Sequence, residues 1–180
     1  MLLAAPHAQL LVIDIQARLL PVMRDGPRVV RNSGILLRGA RKLGLPVLLT
    51  EQYPQGLGPT VPEIMADAGD ALVLPKMHFS AASDPAIHTR IEAAARPQIV
   101  IAGIEAHVCV LQTALTLVEQ GQQVFVVADA VSSRHADSIA VALQRLQAVG
   151  VQIVTTEMCL FEWLGNAAHA EFKNLSSLIK

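Results

Sequence analysis

Six short apolar runs recur along the chain, and most of them alternate with segments whose apolar residues have helical spacing. The runs cover residues 9–15, 46–50, 71–75, 99–102, 123–128 and 151–155. Short apolar runs rich in β-branched residues predict strands, and runs this apolar are typical of parallel strands buried on both faces of a sheet.

The intervening segments have the periodicity of helices. The predicted helices cover residues 27–43, 61–68, 85–95, 107–120, 137–149, 156–164 and 172–179. Because strands and helices alternate, we predict a three-layer α/β fold, a doubly wound sheet of about six mostly parallel strands with right-handed crossovers. Residues 1–180 are predicted to form a single domain.

Composition narrows the classes of partner. Hydrophobic residues make up 52% of the 180 residues and charged residues 16%, so we expect a homo-oligomer, a dimer or larger, that buries part of the apolar surface. The net charge of -1 provides no positive field for nucleic acid or an acidic membrane. The apolar runs are too short to cross a bilayer.

The two cysteines and the first residues of the chain give an expectation for the cellular compartment of the protein. Two cysteines do not make a disulfide framework, which fits a reducing compartment. The start of the sequence lacks the basic segment of a signal peptide and runs into a strand, so a cytoplasmic location is expected. Neither G-x-G-x-x-G nor G-x-x-x-x-G-K-[ST] occurs, and no cofactor is predicted.

Three residues with useful chemistry lie at or just past the carboxyl ends of predicted strands: Asp14, Lys76 and Cys109. In a doubly wound sheet these ends share the edge where ligands bind, so the three side chains can converge. A helix N terminus and an ammonium would favour a thiolate at Cys109, and a carboxylate could take the thiol proton. The ordinary alternatives are a turn aspartate, a solvated lysine and a buried cysteine that acts as a small apolar residue.

Six segments together match one superfamily. They are L-L-V-I-D-I-Q at 10–16, T-E-Q-Y-P-Q-G-L-G at 50–58, P-K-M-H-F-S at 75–80, G-I-E-A-H-V-C-V-L-Q-T-A at 103–114, V-V-A-D-A-V-S-S-R at 126–134 and T-T-E-M-C-L-F-E at 155–162. With them the chain resembles the isochorismatase-like cysteine hydrolase superfamily, and more closely the isochorismatase domain-containing proteins.

The resemblance implies an activity and a set of residues. It implies a Cys-Asp-Lys triad at Cys109, Asp14 and Lys76. It also implies a cis peptide bond between Ile104 and Glu105, with the backbone N–H groups of Glu105 and Cys109 forming an oxyanion hole. The implied reaction is hydrolysis of a small amide or related acyl substrate through a thioester.

Two departures from the superfamily pattern narrow the substrate. Nicotinamidases carry an Asp/His metal site after the second strand, whereas residues 51–54 here are Glu-Gln-Tyr-Pro. We therefore predict no metal and disfavour nicotinamide as the substrate. True isochorismatases cleave a vinyl ether without a nucleophilic cysteine, so Cys109 favours amide-type chemistry.

Loop residues near the strand ends are candidates for the pocket. Tyr53 and Leu57 could cover it, and His78 and Phe79 could form a wall. His107 could face the site or make a structural hydrogen bond. An alternative for the whole chain is a non-catalytic or redox-sensing protein that retains the fold.

Overall fold

A computed structural model describes residues 1–179 and contains a six-stranded, entirely parallel sheet. The strands are β1 (Ala8–Ile13), β2 (Val47–Gln52), β3 (Leu72–Lys76), β4 (Gln98–Ile104), β5 (Gln123–Ser132) and β6 (Gln152–Val154). Their order is β3-β2-β1-β4-β5-β6. The order reverses direction at β1, so the predicted doubly wound sheet is confirmed.

Helices follow most strands. They are α1 (Gly26–Leu43), α2 (Pro54–Leu57), α3 (Pro62–Ala68), α4 (Pro85–Ala93), α5 (Leu111–Glu119), α6 (Ala136–Ala148), α7 (Thr156–Leu164) and α8 (Phe172–Ser176). A π-helical turn, Ala106–Val110, directly precedes α5. Within residues 1–179, no helix is long and apolar enough to cross a membrane.

Two apolar layers hold the helices on the sheet. Along β1, Leu10 and Val12 belong to the layer that contains α1 and α7, whereas Leu11 and Ile13 belong to the layer that contains α4, α5 and α6. Successive residues of a strand point to opposite faces, so a continuous apolar run serves both layers. The three-layer prediction is therefore confirmed.

Strand β4, at the centre of the sheet, is longer than predicted. Strand β4 continues through Gly103 to Ile104, although a glycine was expected to end it near residue 102. Gly103 has φ +117°, and its pairing with β5 shifts register at this point. A Cβ there would overlap the backbone carbonyl of Ile13 and lie 2.6 Å from the Ile13 nitrogen. Glycine therefore allows the backbones of β1 and β4 to approach closely beside Asp14.

Candidate active site

Asp14 is the first residue beyond β1 and is completely buried. Its backbone has φ +53°, in the left-handed region that aspartate tolerates better than most residues. The Thr50 hydroxyl of neighbouring β2 donates a hydrogen bond to Oδ1 (2.7 Å), and the Asp14 N–H donates to the Thr50 carbonyl (3.1 Å). These contacts fix the carboxylate at the carboxyl edge of the sheet.

Lys76 ends β3, two strands away from β1, and reaches across β2 to Asp14. It is 2% exposed, and its Nζ lies 2.7 Å from Asp14 Oδ2. Nζ also donates to Gln52 Oε1 (2.6 Å) and to the carbonyl oxygens of His78 (3.2 Å) and Phe79 (3.3 Å). Four oxygens thus surround an ammonium that water does not reach, as a buried charge requires.

One oxygen of the Asp14 carboxylate remains free to accept a proton. Oδ2 is fully buried and accepts no hydrogen bond of good geometry within residues 1–179. The adjacent Lys76 ammonium directs its hydrogen bonds to Gln52 and to two main-chain carbonyls. Oδ2 therefore has charge contact with Lys76 and lone pairs available for another donor.

Cys109 is the candidate for that donor. It lies on the π-helical turn after β4 and is 5% exposed, and it is close enough to Asp14 and Lys76 for both charges to act on the pKa of its thiol. Burial and then the Asp14 carboxylate raise the pKa of the Cys109 thiol to about 12, and Lys76 opposes them. The expectation of a stabilised thiolate was wrong, because desolvation and the neighbouring anion outweigh the ammonium and the helix end. The direction of this shift favours the protonated thiol at rest.

The peptide bond between Ile104 and Glu105 is cis, at the position that the family resemblance implies. The backbone N–H of Glu105 donates no hydrogen bond to any part of the chain that the structure describes. The Glu105 side chain is 3.1 Å from Arg134 Nε and also accepts from the Arg134 N–H (3.3 Å). The carboxylate is thus paired, while the main-chain donor is available.

The predicted pocket residues fall into two groups. Tyr53, His78 and Phe79 surround Lys76: the Tyr53 N–H donates to the Lys76 carbonyl (3.0 Å), and the other two provide carbonyls to Nζ. Their side chains are exposed, 48% for Tyr53 and 54% for Phe79. Leu57 ends α2 and is half-buried.

His107 is held differently. Its Nδ1 lies 2.8 Å from the buried Ser133 hydroxyl, and its N–H donates to the same oxygen (3.4 Å). This arrangement matches the structural alternative for His107.

Sequence reasoning missed Gln52, whose amide links the site together. Its Oε1 accepts from Lys76, its Nε2 donates to the Met77 carbonyl (2.9 Å), and its N–H donates to Gln16 Oε1 (2.8 Å). A signal was present, because residues 50 and 52 of a strand point to the same side. Thr50 holds the carboxylate, and Gln52 holds the ammonium.

Comparison with known proteins identifies the family of this chain. The isochorismatase domain model matches residues 8–158. Isochorismatase domain-containing protein 2 of Macaca fascicularis is 42% identical over 174 residues, which cover 95% of this chain and 82% of that protein.

Solved structures of related proteins have the same fold as this chain. The MAR1 ribonuclease of Caenorhabditis elegans superimposes with a TM-score of 0.94 at 33% identity, covering 99% of this chain and 92% of that one. The YcaC gene product of Escherichia coli, an octameric hydrolase of unknown specificity, gives a TM-score of 0.89 at 28% identity and covers 98% and 95% of the two chains. The chain therefore belongs to the isochorismatase-like hydrolase family.

Proposed function

We propose that the protein is a cysteine hydrolase of small amides or related acyl compounds, with Cys109 as nucleophile, Asp14 as proton acceptor and donor, and Lys76 as a fixed cation. The observation that carries the proposal is that one cluster contains a thiol, a buried ammonium and a carboxylate oxygen that accepts no hydrogen bond of good geometry. A packing cysteine has no need of two buried charges, which are costly to desolvate.

In the proposed reaction, Sγ of Cys109 attacks the substrate carbonyl while its proton passes to Asp14 Oδ2. The carbonyl π electrons move to oxygen, and the N–H groups of Glu105 and Cys109 stabilise that oxyanion. Collapse breaks the C–N bond, and the leaving amine takes the proton from Asp14. Water then attacks the thioester with Asp14 as base, which releases the acid and restores the thiol. The scheme uses no metal or cofactor.

The pH dependence of Cys109 alkylation tests the role of Asp14. Because the pKa of the thiol is raised to about 12, the rate with iodoacetamide should increase about tenfold per pH unit between about pH 7 and pH 10 without reaching a plateau. Asp14→Asn removes a negative charge that raises this pKa. It should alkylate faster than the wild type at about pH 8, although its turnover is lost.

Asp25→Asn is the matched control, because Asp25 also has positive φ but lies at the surface beside Arg28. It should leave the alkylation profile unchanged. A wild-type rate that reaches a plateau below about pH 8.5 would show a thiolate at rest. The proton would then leave the thiol before the attack and not during it, contrary to the first step of the proposed reaction.

Because one relative is described as a ribonuclease, phosphodiester cleavage is a second candidate reaction. Phosphodiester cleavage relies on cations and donors directed at phosphate oxygens. Here the ammonium of Lys76 is already held by oxygens of Asp14, Gln52, His78 and Phe79. The cluster therefore supports attack on a neutral carbonyl better than binding of a phosphate.

We further propose that the protein works as a homo-oligomer. The E. coli relative is described as octameric, and several large apolar side chains here are more than half exposed, among them Val22, Met77, Phe79 and Val141. Light scattering after size exclusion should give a molar mass of at least twice 19.2 kDa. A mass of one chain at micromolar concentration would contradict this.

A further inference from the structure

We infer that α6 forms a two-fold interface between two copies of this chain, in which each α6 packs antiparallel against the other. This inference rests on the homo-oligomer proposed above and names the surface that builds it. One side of α6 packs on the sheet layer through the buried Ala142 and Leu146 and the half-buried Ile139 and Leu143. The opposite side is exposed, and it is this face that we assign to the second copy.

The exposed face of α6 is apolar along most of its length. Ala140, Val141 and Ala148 are all exposed, and Val141 is 62% exposed. In an α-helix Val141 lies about 140° around the axis from the buried Leu146, so it points away from the core. A surface helix ordinarily carries polar or charged residues on this side, and an apolar strip of small side chains fits close packing against another helix.

The two charged residues of α6 select a second copy of the same helix as the occupant. Asp137 lies in the first turn and Arg145 in the last, and both are exposed. Neither forms an ion pair with any side chain in residues 1–179. They lie four residues before and four residues after Val141. The charges are therefore placed symmetrically about the most exposed apolar residue of the helix.

This symmetry fits an isologous contact. An antiparallel pair with its two-fold axis at Val141 places Asp137 beside the partner subunit's Arg145, and Arg145 beside the partner subunit's Asp137. A parallel pair would place like charges together. The helix dipole alone favours an acid in the first turn and a base in the last, but it does not account for the apolar residues between them. Exposed charges of this kind set direction and register more than affinity.

A groove of about 350 Å³ extends the same face towards the π-helical turn. One wall includes Asp137, Val141 and Arg145 of α6, and the other consists of His107 and Leu111. A partner helix seated on α6 would cover this second wall as well. The interface would then adjoin the turn that carries the proposed nucleophile.

A charge swap tests the pairing. Asp137→Arg places like charges together at both ends of the interface, so the molar mass from light scattering should fall to half of the wild-type value or less. The double variant Asp137→Arg/Arg145→Asp restores both ion pairs and should recover the wild-type mass, although it opposes the helix dipole more than the single variant does. Glu157→Arg is the matched control, because it reverses an exposed acid in the first turn of α7. It should keep the wild-type mass.

Cross-linking tests the position of the axis. Facing Cα atoms of helices packed about 8–10 Å apart lie within reach of a disulfide, so Val141→Cys should link two chains. Copper–phenanthroline is the oxidant: it takes two electrons as the two thiols lose their protons and the S–S bond forms. In the antiparallel pair, cysteines of Ala148→Cys would lie about 21 Å apart along the helices and should stay unlinked. Non-reducing electrophoresis of both variants and of the wild type, whose own cysteines are buried, gives the comparison.

Each outcome decides the inference. A wild-type mass of one chain would overturn both the inference and the proposed oligomer. An oligomer whose mass is unchanged by Asp137→Arg, or is not recovered by the double variant, would overturn the inference alone and place the interface on another face. Linkage of Ala148→Cys as readily as Val141→Cys would also overturn it, since the helices would then be parallel. If Asp137→Arg does not fold, Arg145→Asp is the single variant in its place.

Discussion

Replacing Cys109 by alanine is expected to lower hydrolysis of the best amide substrate by at least about 10³-fold, because removal of a nucleophile leaves only binding and oxyanion stabilisation. The fold should persist. The substitution removes only the sulfur atom from the apolar layer that contains α4, α5 and α6. The Asp14–Lys76 pair keeps its hydrogen-bond partners, Thr50 and Gln52. The measurement is ammonia release from a panel of primary amides and carbamoyl compounds, alongside thermal unfolding.

Cys159→Ala provides the matched control for this experiment. Cys159 is fully buried in the other apolar layer, with α1 and α7, and burial raises the pKa of its thiol as well. Its replacement should cost about 1 kcal/mol of stability and leave kcat unchanged. If Cys109→Ala retained turnover, Cys109 would not be the nucleophile. A wild-type protein inactive on the whole panel would favour the redox-sensing or non-catalytic alternative.

The layered, parallel sheet could be predicted from the sequence because strands that are buried on both faces appear as continuous apolar runs. Continuous apolar runs separated by helical periodicity have few other solutions. The same logic placed Asp14 and Lys76 at strand ends, and the structure brings both to one edge. The detailed roles of these residues stay a proposal, as do those of Cys109 and of the loop residues.

The direction of the Cys109 pKa could not be predicted from the sequence, because it is a balance between long-range contacts. A helix N terminus and a lysine are visible in the sequence and both favour the thiolate. The depth of burial and the approach of Asp14 are visible only in three dimensions, and they prevail. A protonated thiol beside a carboxylate also suits a general-base mechanism better than a preformed thiolate.

The form of the first turn of the helix after β4 could not be predicted from the sequence either. Apolar spacing predicted a regular helix from about residue 107, whereas a π-helical turn, Ala106–Val110, carries Cys109. A π-helical turn contains more residues than an α-helical turn, and the apolar pattern that follows it is the one expected for a regular helix. Periodicity records which residues face the core, and it is insensitive to one inserted residue at the end of a helix.

Replacing Gly103 by alanine is expected to destabilise the protein by at least about 4 kcal/mol, in the range of the most damaging substitutions. Two costs combine. Alanine is strained at φ +117°, and its Cβ would overlap the carbonyl of Ile13 in the neighbouring central strand. Neither strand can yield, because β1 and β4 are each paired on both sides. Urea unfolding gives the change in free energy.

Gly150→Ala separates these two costs. Gly150 has φ +91°, but a Cβ there would have no neighbour within 4 Å. It should cost about 1–2 kcal/mol, the strain alone. A Gly103→Ala variant no less stable than Gly150→Ala would mean that β1 can move away from β4. Since Asp14 directly follows Ile13, such movement would displace the carboxylate, and turnover of the folded variant should then fall although every proposed catalytic residue is present.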